Sequence, residues 1–157
     1  MINIRKLEAE LWESADLLRA ESKLTSNQYC MPVLGLIFLR YAYSRFQIVE
    51  AEILKTRPKR GGRVLPAEPS DFAEKSALFL PKESQYAYLL NLPDNIAAAG
   101  LAGTDGHALN SLGEAVNNAM RLIEAQSDAL AGGLPKNYDI FKDDLLRALL
   151  QIFNNDA

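Results

Sequence analysis

The stretch MPVLGLIFLRYAYSRFQIVEAEIL, from Met31 to Leu54, decides the fold of this chain. Its apolar residues recur every three or four positions, a spacing that predicts a helix with a wide buried side. At about 1.5 Å per residue the helix would be roughly 36 Å long, enough to cross a small domain. Its first half is apolar almost all round, so we expect other helices to cover it. The recurring apolar positions are Leu34, Ile37, Phe38, Tyr41, Ala42, Ile48, Val49 and Ile53.

A membrane span is the alternative interpretation of this stretch. The unbroken apolar run covers only the nine residues from Met31 to Leu39, whereas a span needs roughly 18 or more. Arg40 and Arg45 would then lie inside the bilayer, where charged side chains are costly. The stretch therefore predicts a core helix and no membrane partner.

The composition is that of one folded domain. The chain has 157 residues, of which 48% are apolar and 24% are charged, so we expect residues 1–157 to form a single domain with an ample core. The amino terminus, MINIRK, turns polar at once and carries no secretory signal. Cys30 is the only cysteine, which excludes an intrachain disulfide and a cysteine-based metal site. A reducing, cytoplasmic location fits these features.

Helical patterns follow one another along the chain, and no segment alternates apolar and polar residues as a strand would. The fold class is therefore all-α, an irregular helical bundle of four main helices plus short helices around a central long helix at about residues 27–54. The other main helices are expected near residues 6–20, 110–126 and 139–153, and shorter ones near 71–78, 81–90 and 97–99.

Four residues refine these helix predictions. Thr25 and Gln28 can form a capping box ahead of the central helix. Pro32 should kink that helix or make it restart. Trp12 is expected in the core, since buried aromatics dominate helical cores, and Asp139 can cap the last helix.

A basic segment follows the central helix, and it is the one charged feature above background. Residues 1–66 carry 11 Lys+Arg against 7 Asp+Glu, whereas residues 67–157 carry 6 against 13. Five cations in nine residues, with no acid among them, could contact DNA phosphates, and each phosphate neutralised would add about 0.9 to the salt slope of binding. A solvated loop explains the segment equally well. The residues of this basic segment are Lys55, Arg57, Lys59, Arg60 and Arg63.

Catalytic groups do not converge in this sequence. The single histidine, His107, lies in a glycine-rich loop without metal-ligand spacing around it. Asp143 and Asp144 are adjacent in a helix, where neighbouring side chains diverge. No Walker loop, zinc spacing or EF-hand loop is present. A non-catalytic domain is favoured over a small enzyme using Cys30, because a cysteine beside an apolar residue packs more often than it reacts.

Several blocks, taken in order, resemble the amino-terminal domain of the modification subunit of type I restriction–modification systems, an adenine-N6 DNA methyltransferase. The block from Val33 to Phe46 is specific, whereas the others would be weak alone. Tyr86 stands where the family usually has tryptophan. The other blocks are LWESADLLR at residues 11–19, LPKESQYAYLL at 80–90, LGEA at 112–115 and LAGGLP at 130–135.

The resemblance implies a subunit of two parts. The helical domain comes first, and a Rossmann-like domain that binds S-adenosylmethionine follows and methylates a flipped-out adenine. Two modification subunits join one specificity subunit, the helical domains help close the assembly on DNA, and a restriction subunit completes the full complex. The DNA target would lie with a different subunit.

The chain departs from such a subunit in one respect. It has neither the Asn/Asp-Pro-Pro-Phe/Tyr catalytic motif nor a glycine-rich cofactor turn after a strand. We therefore expect the catalytic domain to be absent from this chain and the segment alone to bind no cofactor and to be inactive. A stand-alone helical adaptor that binds only protein is the alternative, and it predicts a domain without an exposed apolar patch.

Overall fold

The computed structural model describes residues 4–56, 59–60, 63–64, 68–75, 77–103, 106–127 and 130–154 of the chain. Within these residues the chain forms six α-helices, three short 3₁₀-helices and one two-stranded ribbon, so the all-α prediction is confirmed. The α-helices are α1 (Ile4–Glu21), α2 (Ser26–Thr56), α3 (Pro69–Glu74), α4 (Tyr86–Leu90), α5 (Leu112–Gln126) and α6 (Asp143–Ile152). The 3₁₀-helices are Lys82–Ser84, Ala97–Ala99 and Tyr138–Ile140.

The start of α2 is fixed by local and distant contacts. The Gln28 side chain accepts a hydrogen bond from the Thr25 backbone N–H at 2.8 Å, as one half of the predicted capping box requires. Pro32 lies inside the helix, and the Tyr138 hydroxyl donates to its carbonyl oxygen at 2.7 Å. Gly35 faces Tyr138 so closely that an added Cβ would overlap the Tyr138 hydroxyl and lie 2.6 Å from Cγ of Pro135.

One side of α2 forms the wall of the hydrophobic core. Near its carboxyl end, Phe46 stacks on Phe72 of α3 with ring centroids 5.0 Å apart. Phe79 meets Phe72 edge-on at 5.4 Å, a favourable aromatic geometry. The buried apolar side chains of α2 are Val33, Leu36, Leu39, Ala42, Phe46, Val49 and Ile53.

Helices α5 and α6 complete the core. Ser111 caps α5 by accepting from the Glu114 backbone N–H, and the predicted buried face of α5 is confirmed, with Leu112, Val116, Ala119, Met120 and Ile123 all buried. The side-chain oxygen of Asn117 accepts from the Tyr138 backbone N–H at 2.8 Å. These bonds hold the Tyr138–Ile140 turn against α5, on the side where Tyr138 reaches α2.

Several predicted positions are wrong in detail. Trp12 is 63% exposed, because α1 turns Ser14 and Leu18 into the core instead. Asp139 does not cap α6, whose first turn is preceded by Lys142. The Asp139 carboxylate instead accepts from the Asn117 side-chain amide at 3.2 Å.

The covering of α2 also differs from the prediction that other helices surround its first half. Leu34, Tyr41 and Ile48, expected at the buried side, are 49%, 53% and 54% exposed. Periodicity marks these residues as apolar, but the described helices of this chain pack on the other side of α2. Among the described helices, none is long and apolar enough to cross a membrane.

Candidate nucleic-acid interface

The basic segment begins on the last turn of α2. Lys55 is exposed there, and a cation at this end of a helix is favoured by the helix dipole. Lys59–Arg60 and Arg63–Val64 then form a two-stranded antiparallel ribbon, where the sequence predicted an irregular connection. Arg57 lies outside the described residues.

The register of the ribbon places two arginine positions directly opposite each other. Arg60 pairs with Arg63, and Lys59 pairs with Val64. Directly opposed positions of an antiparallel pair lie on the same face, where like charges are unfavourable unless an anion neutralises them. Guanidinium groups bind phosphate oxygens in a bidentate manner. The pairing is therefore typical of a site for an anionic partner.

A further cation lies at the same end of α2. Lys75, just after α3, has its Nζ 3.8 Å from the Glu52 carboxylate, one helical turn before Lys55. Both side chains remain partly exposed, so this pair is weak. Sequence reasoning missed Lys75 because it lies twenty positions beyond Lys55 and only the packing of α3 on α2 brings it here.

A row of apolar side chains runs along the uncovered face of the same helix. We define the outer stripe as Met31, Leu34, Tyr41 and Ile48, which are 58%, 49%, 53% and 54% exposed. They follow the three-and-four spacing of a single helix face. The half-buried Phe38 and the exposed Arg45 fill the intervening positions. The same spacing, continued through Glu52, reaches Lys55, so the outer stripe leads directly to the basic segment.

Buried tyrosines near α2 are structural in character. Burial raises the pKa of Tyr86 and the pKa of Tyr138 above the ordinary range, so both hydroxyls stay protonated at neutral pH. Tyr86 donates to the Leu150 carbonyl, and the Arg40 guanidinium lies 5.7 Å from its ring centroid. Arg40 also donates to Ser44 at 2.7 Å.

The candidate catalytic groups considered from the sequence do not converge in the described part of the chain. Asp143 accepts from the Leu112 backbone N–H at 3.1 Å, whereas Asp144 accepts from the Leu145 N–H at 2.9 Å. The two carboxylates therefore serve different helix starts. Cys30 is exposed, His107 is exposed in its loop, and no cluster of three metal-ligating side chains occurs among the described residues.

Comparison with known proteins gives two matches. A sequence model of the family described as the HsdM N-terminal domain matches residues 7–153. The chain is also 28% identical over 144 residues to the type I restriction enzyme MjaIX methylase subunit of Methanocaldococcus jannaschii. That match covers 85% of this chain but only 23% of the relative, so the chain spans less than a quarter of the relative's length. No solved structure gives a significant match.

Proposed function

Because the chain belongs to the HsdM N-terminal domain family, we propose that it is the part of a type I methylase subunit that assembles with the catalytic domain and helps close the complex on DNA. The catalytic domain would bind S-adenosylmethionine and methylate adenine at N6. The helical domain would contribute DNA contacts and protein contacts, with a specificity subunit, a second modification subunit and a restriction subunit as the remaining partners. We place this complex in the cytoplasm.

The observation that carries this proposal is the joint presence of two features on α2. The outer stripe exposes four apolar side chains along one face, and the basic segment begins where that face ends. A stand-alone adaptor was expected to lack an exposed apolar patch, so the outer stripe counts against that alternative. A domain that docks on protein and touches phosphate needs both features.

The basic segment is the proposed DNA contact. Lys55, Arg57, Lys59, Arg60 and Arg63 would neutralise phosphates without reading the sequence, because phosphate contacts position a protein on the duplex but carry little sequence information. The opposed Arg60 and Arg63 positions support this role. Recognition of the target sequence would remain with another subunit.

Salt dependence of DNA binding by the assembled complex tests this contact. Replacing Lys59, Arg60 and Arg63 together by glutamine should weaken binding and flatten the plot of log affinity against log salt by up to about 2.7, at 0.9 for each phosphate. The matched control replaces Lys82, Arg121 and Lys142 by glutamine, which removes the same charge from exposed positions on other elements. An unchanged slope in the first variant would contradict DNA contact by the segment.

Cofactor binding is the second test, because the proposal assigns S-adenosylmethionine to the catalytic domain alone. Isothermal titration of the 157-residue chain with S-adenosylmethionine should show no stoichiometric binding. The complete methylase subunit should bind the cofactor. Stoichiometric binding by the isolated chain would overturn this division of roles.

A further inference from the structure

The outer stripe has the dimensions of one face of a helix-packing seam. From Met31 to Ile48 it covers seventeen helical steps, or about 26 Å along the axis. Its spacing of three and four residues is the one that brings apolar side chains of two packed helices together. Four large side chains in one row, each about half exposed, differ from the single apolar residues that are scattered over ordinary surfaces.

We propose that the outer stripe is the docking face for the catalytic domain of the same polypeptide. This inference rests on the proposed function, since it assumes that the chain is the amino-terminal part of a methylase subunit. It assigns to Met31, Leu34, Tyr41 and Ile48 a contact that no element within the described residues supplies. The occupant is a segment of the same subunit rather than a separate protein.

The size of the stripe favours a tethered occupant. Half-exposed large side chains offer on the order of 100 Å² each, so the four together give about 400 Å². A stable association between free proteins buries roughly 800 Å² on each partner. A domain joined in the same chain needs less, because the linker supplies a high effective concentration and interdomain interfaces are often small. The relative's length, more than four times that of the matched region, provides room for such a domain.

The charges on the same face fit this arrangement. The exposed Arg45 interrupts the apolar row between Tyr41 and Ile48, so the docked surface should present an acidic side chain opposite it. Beyond Ile48 the row reaches Lys55 and the basic segment. A catalytic domain seated on the stripe would therefore border the basic segment, and DNA lying across both would be held by the helical domain beside the site of methylation.

Thiol labelling measures this docking directly. In a Cys30→Ser background, Ile48→Cys places the only thiol on the stripe, and Gln47→Cys places it at the adjacent exposed position on another side of α2. Maleimide labelling of Ile48→Cys should be at least about tenfold slower in the complete methylase subunit than in the 157-residue chain. Labelling of Gln47→Cys should differ by less than about twofold, and neither result should change on dilution.

A charge substitution keeps the test independent of one labelling site. In the complete subunit, Ile48→Glu should restore fast labelling of Met31→Cys at the other end of the stripe. The matched variant Gln47→Glu should leave Met31→Cys protected. Both glutamates lie at exposed positions, so the fold of the helical domain should survive, as circular dichroism would verify.

Each other outcome contradicts the docking proposal. Equal labelling of Ile48→Cys in the two proteins would mean that the catalytic domain leaves the stripe uncovered. Protection that appears only at high concentration would assign the stripe to a second copy, and protection only after adding the specificity subunit would assign it to that subunit. The labelling uses neither DNA nor cofactor, so a subunit that protects Ile48→Cys but fails to bind DNA would refute the proposed function and leave the docking intact.

Discussion

The two sides of α2 contain similar residues in different surroundings. Leu36 is fully buried on the covered side, whereas Leu34, two positions earlier, is 49% exposed on the outer stripe. Tyr138 is buried against the covered side, whereas Tyr41 is 53% exposed on the outer stripe. The comparison shows that an apolar helix face indicates a need for burial, but does not say whether the covering partner lies within the same 157 residues.

The largest expected effect separates the two leucines. Leu36→Ala should lower the free energy of unfolding of the isolated chain by about 2–5 kcal/mol, because it leaves a cavity in a packed core. Leu34→Ala should change it by less than about 0.5 kcal/mol, because the side chain is already half in water. Urea denaturation measures both. Similar losses in the two variants would mean that the outer stripe is covered in the isolated chain.

A smaller effect is expected from the close approach on the covered side. Gly35→Ala should destabilise the chain by about 1–3 kcal/mol, because its Cβ would overlap the Tyr138 hydroxyl and Pro135. Helix propensity alone would make the alanine stabilising by about 1 kcal/mol, so the sign of the change decides between the two effects. In a Tyr138→Phe background the cost of Gly35→Ala should be smaller, since the overlapping oxygen is gone. A stabilised Gly35→Ala variant would contradict the packing described for this turn.

Much of the covered side could be predicted from the sequence. The long helix, the capping residues Thr25 and Gln28, and the buried face of α5 follow from local spacing, which depends only on neighbours within a few positions. The family resemblance from Val33 to Phe46 also led to the correct family. These features are short-range, so a single sequence is sufficient to place them.

The remaining features depend on contacts between distant parts of the chain. The hydrogen bond from Tyr138 to Pro32 joins residues 106 positions apart, and Arg147 donates to the Leu92 carbonyl across 55 positions. No local pattern encodes such pairs. For the candidate site, the cluster of cations was visible in the sequence, but the pairing of Arg60 with Arg63 required the ribbon. Trp12 was misplaced because an apolar residue beside a helical stripe can lie on either side of its edge.

Alkaline pH should affect the buried tyrosines and spare the exposed one. Burial raises the pKa of Tyr86 and Tyr138, whereas an unfolded tyrosine ionises near pH 10. Above that pH the unfolded state loses protons that the folded state retains, so stability falls as pH rises, by about 1.4 kcal/mol per pH unit for each tyrosine. Below pH 10 this contribution is constant. Denaturation between pH 9 and 11 should show a shallower decline for Tyr86→Phe and an unchanged decline for Tyr41→Phe.

The smallest effect concerns an ion pair that supports the covered side at low pH. The Glu124 carboxylate accepts from Lys136 Nζ at 2.7 Å and from the Leu134 backbone N–H at 3.1 Å. The hydrogen bond from Lys136 is the main reason why the pKa of Glu124 is lowered. Pro135, between these two partners, is the residue that meets Gly35 of α2.

The sign of the pH effect follows from this lowered pKa. The stabilisation is complete above the unfolded pKa of about 4.5 and is lost as pH falls through the lower folded value. Glu124→Gln should therefore remove up to about 1 kcal/mol near pH 7 and have little effect in acid. The matched variant Asp16→Asn, from an exposed pair with Arg19, should have almost no effect at either pH. If Glu124→Gln also changed labelling of Ile48→Cys in the isolated chain, the two sides of α2 would be coupled, and the contrast between them would have to be abandoned.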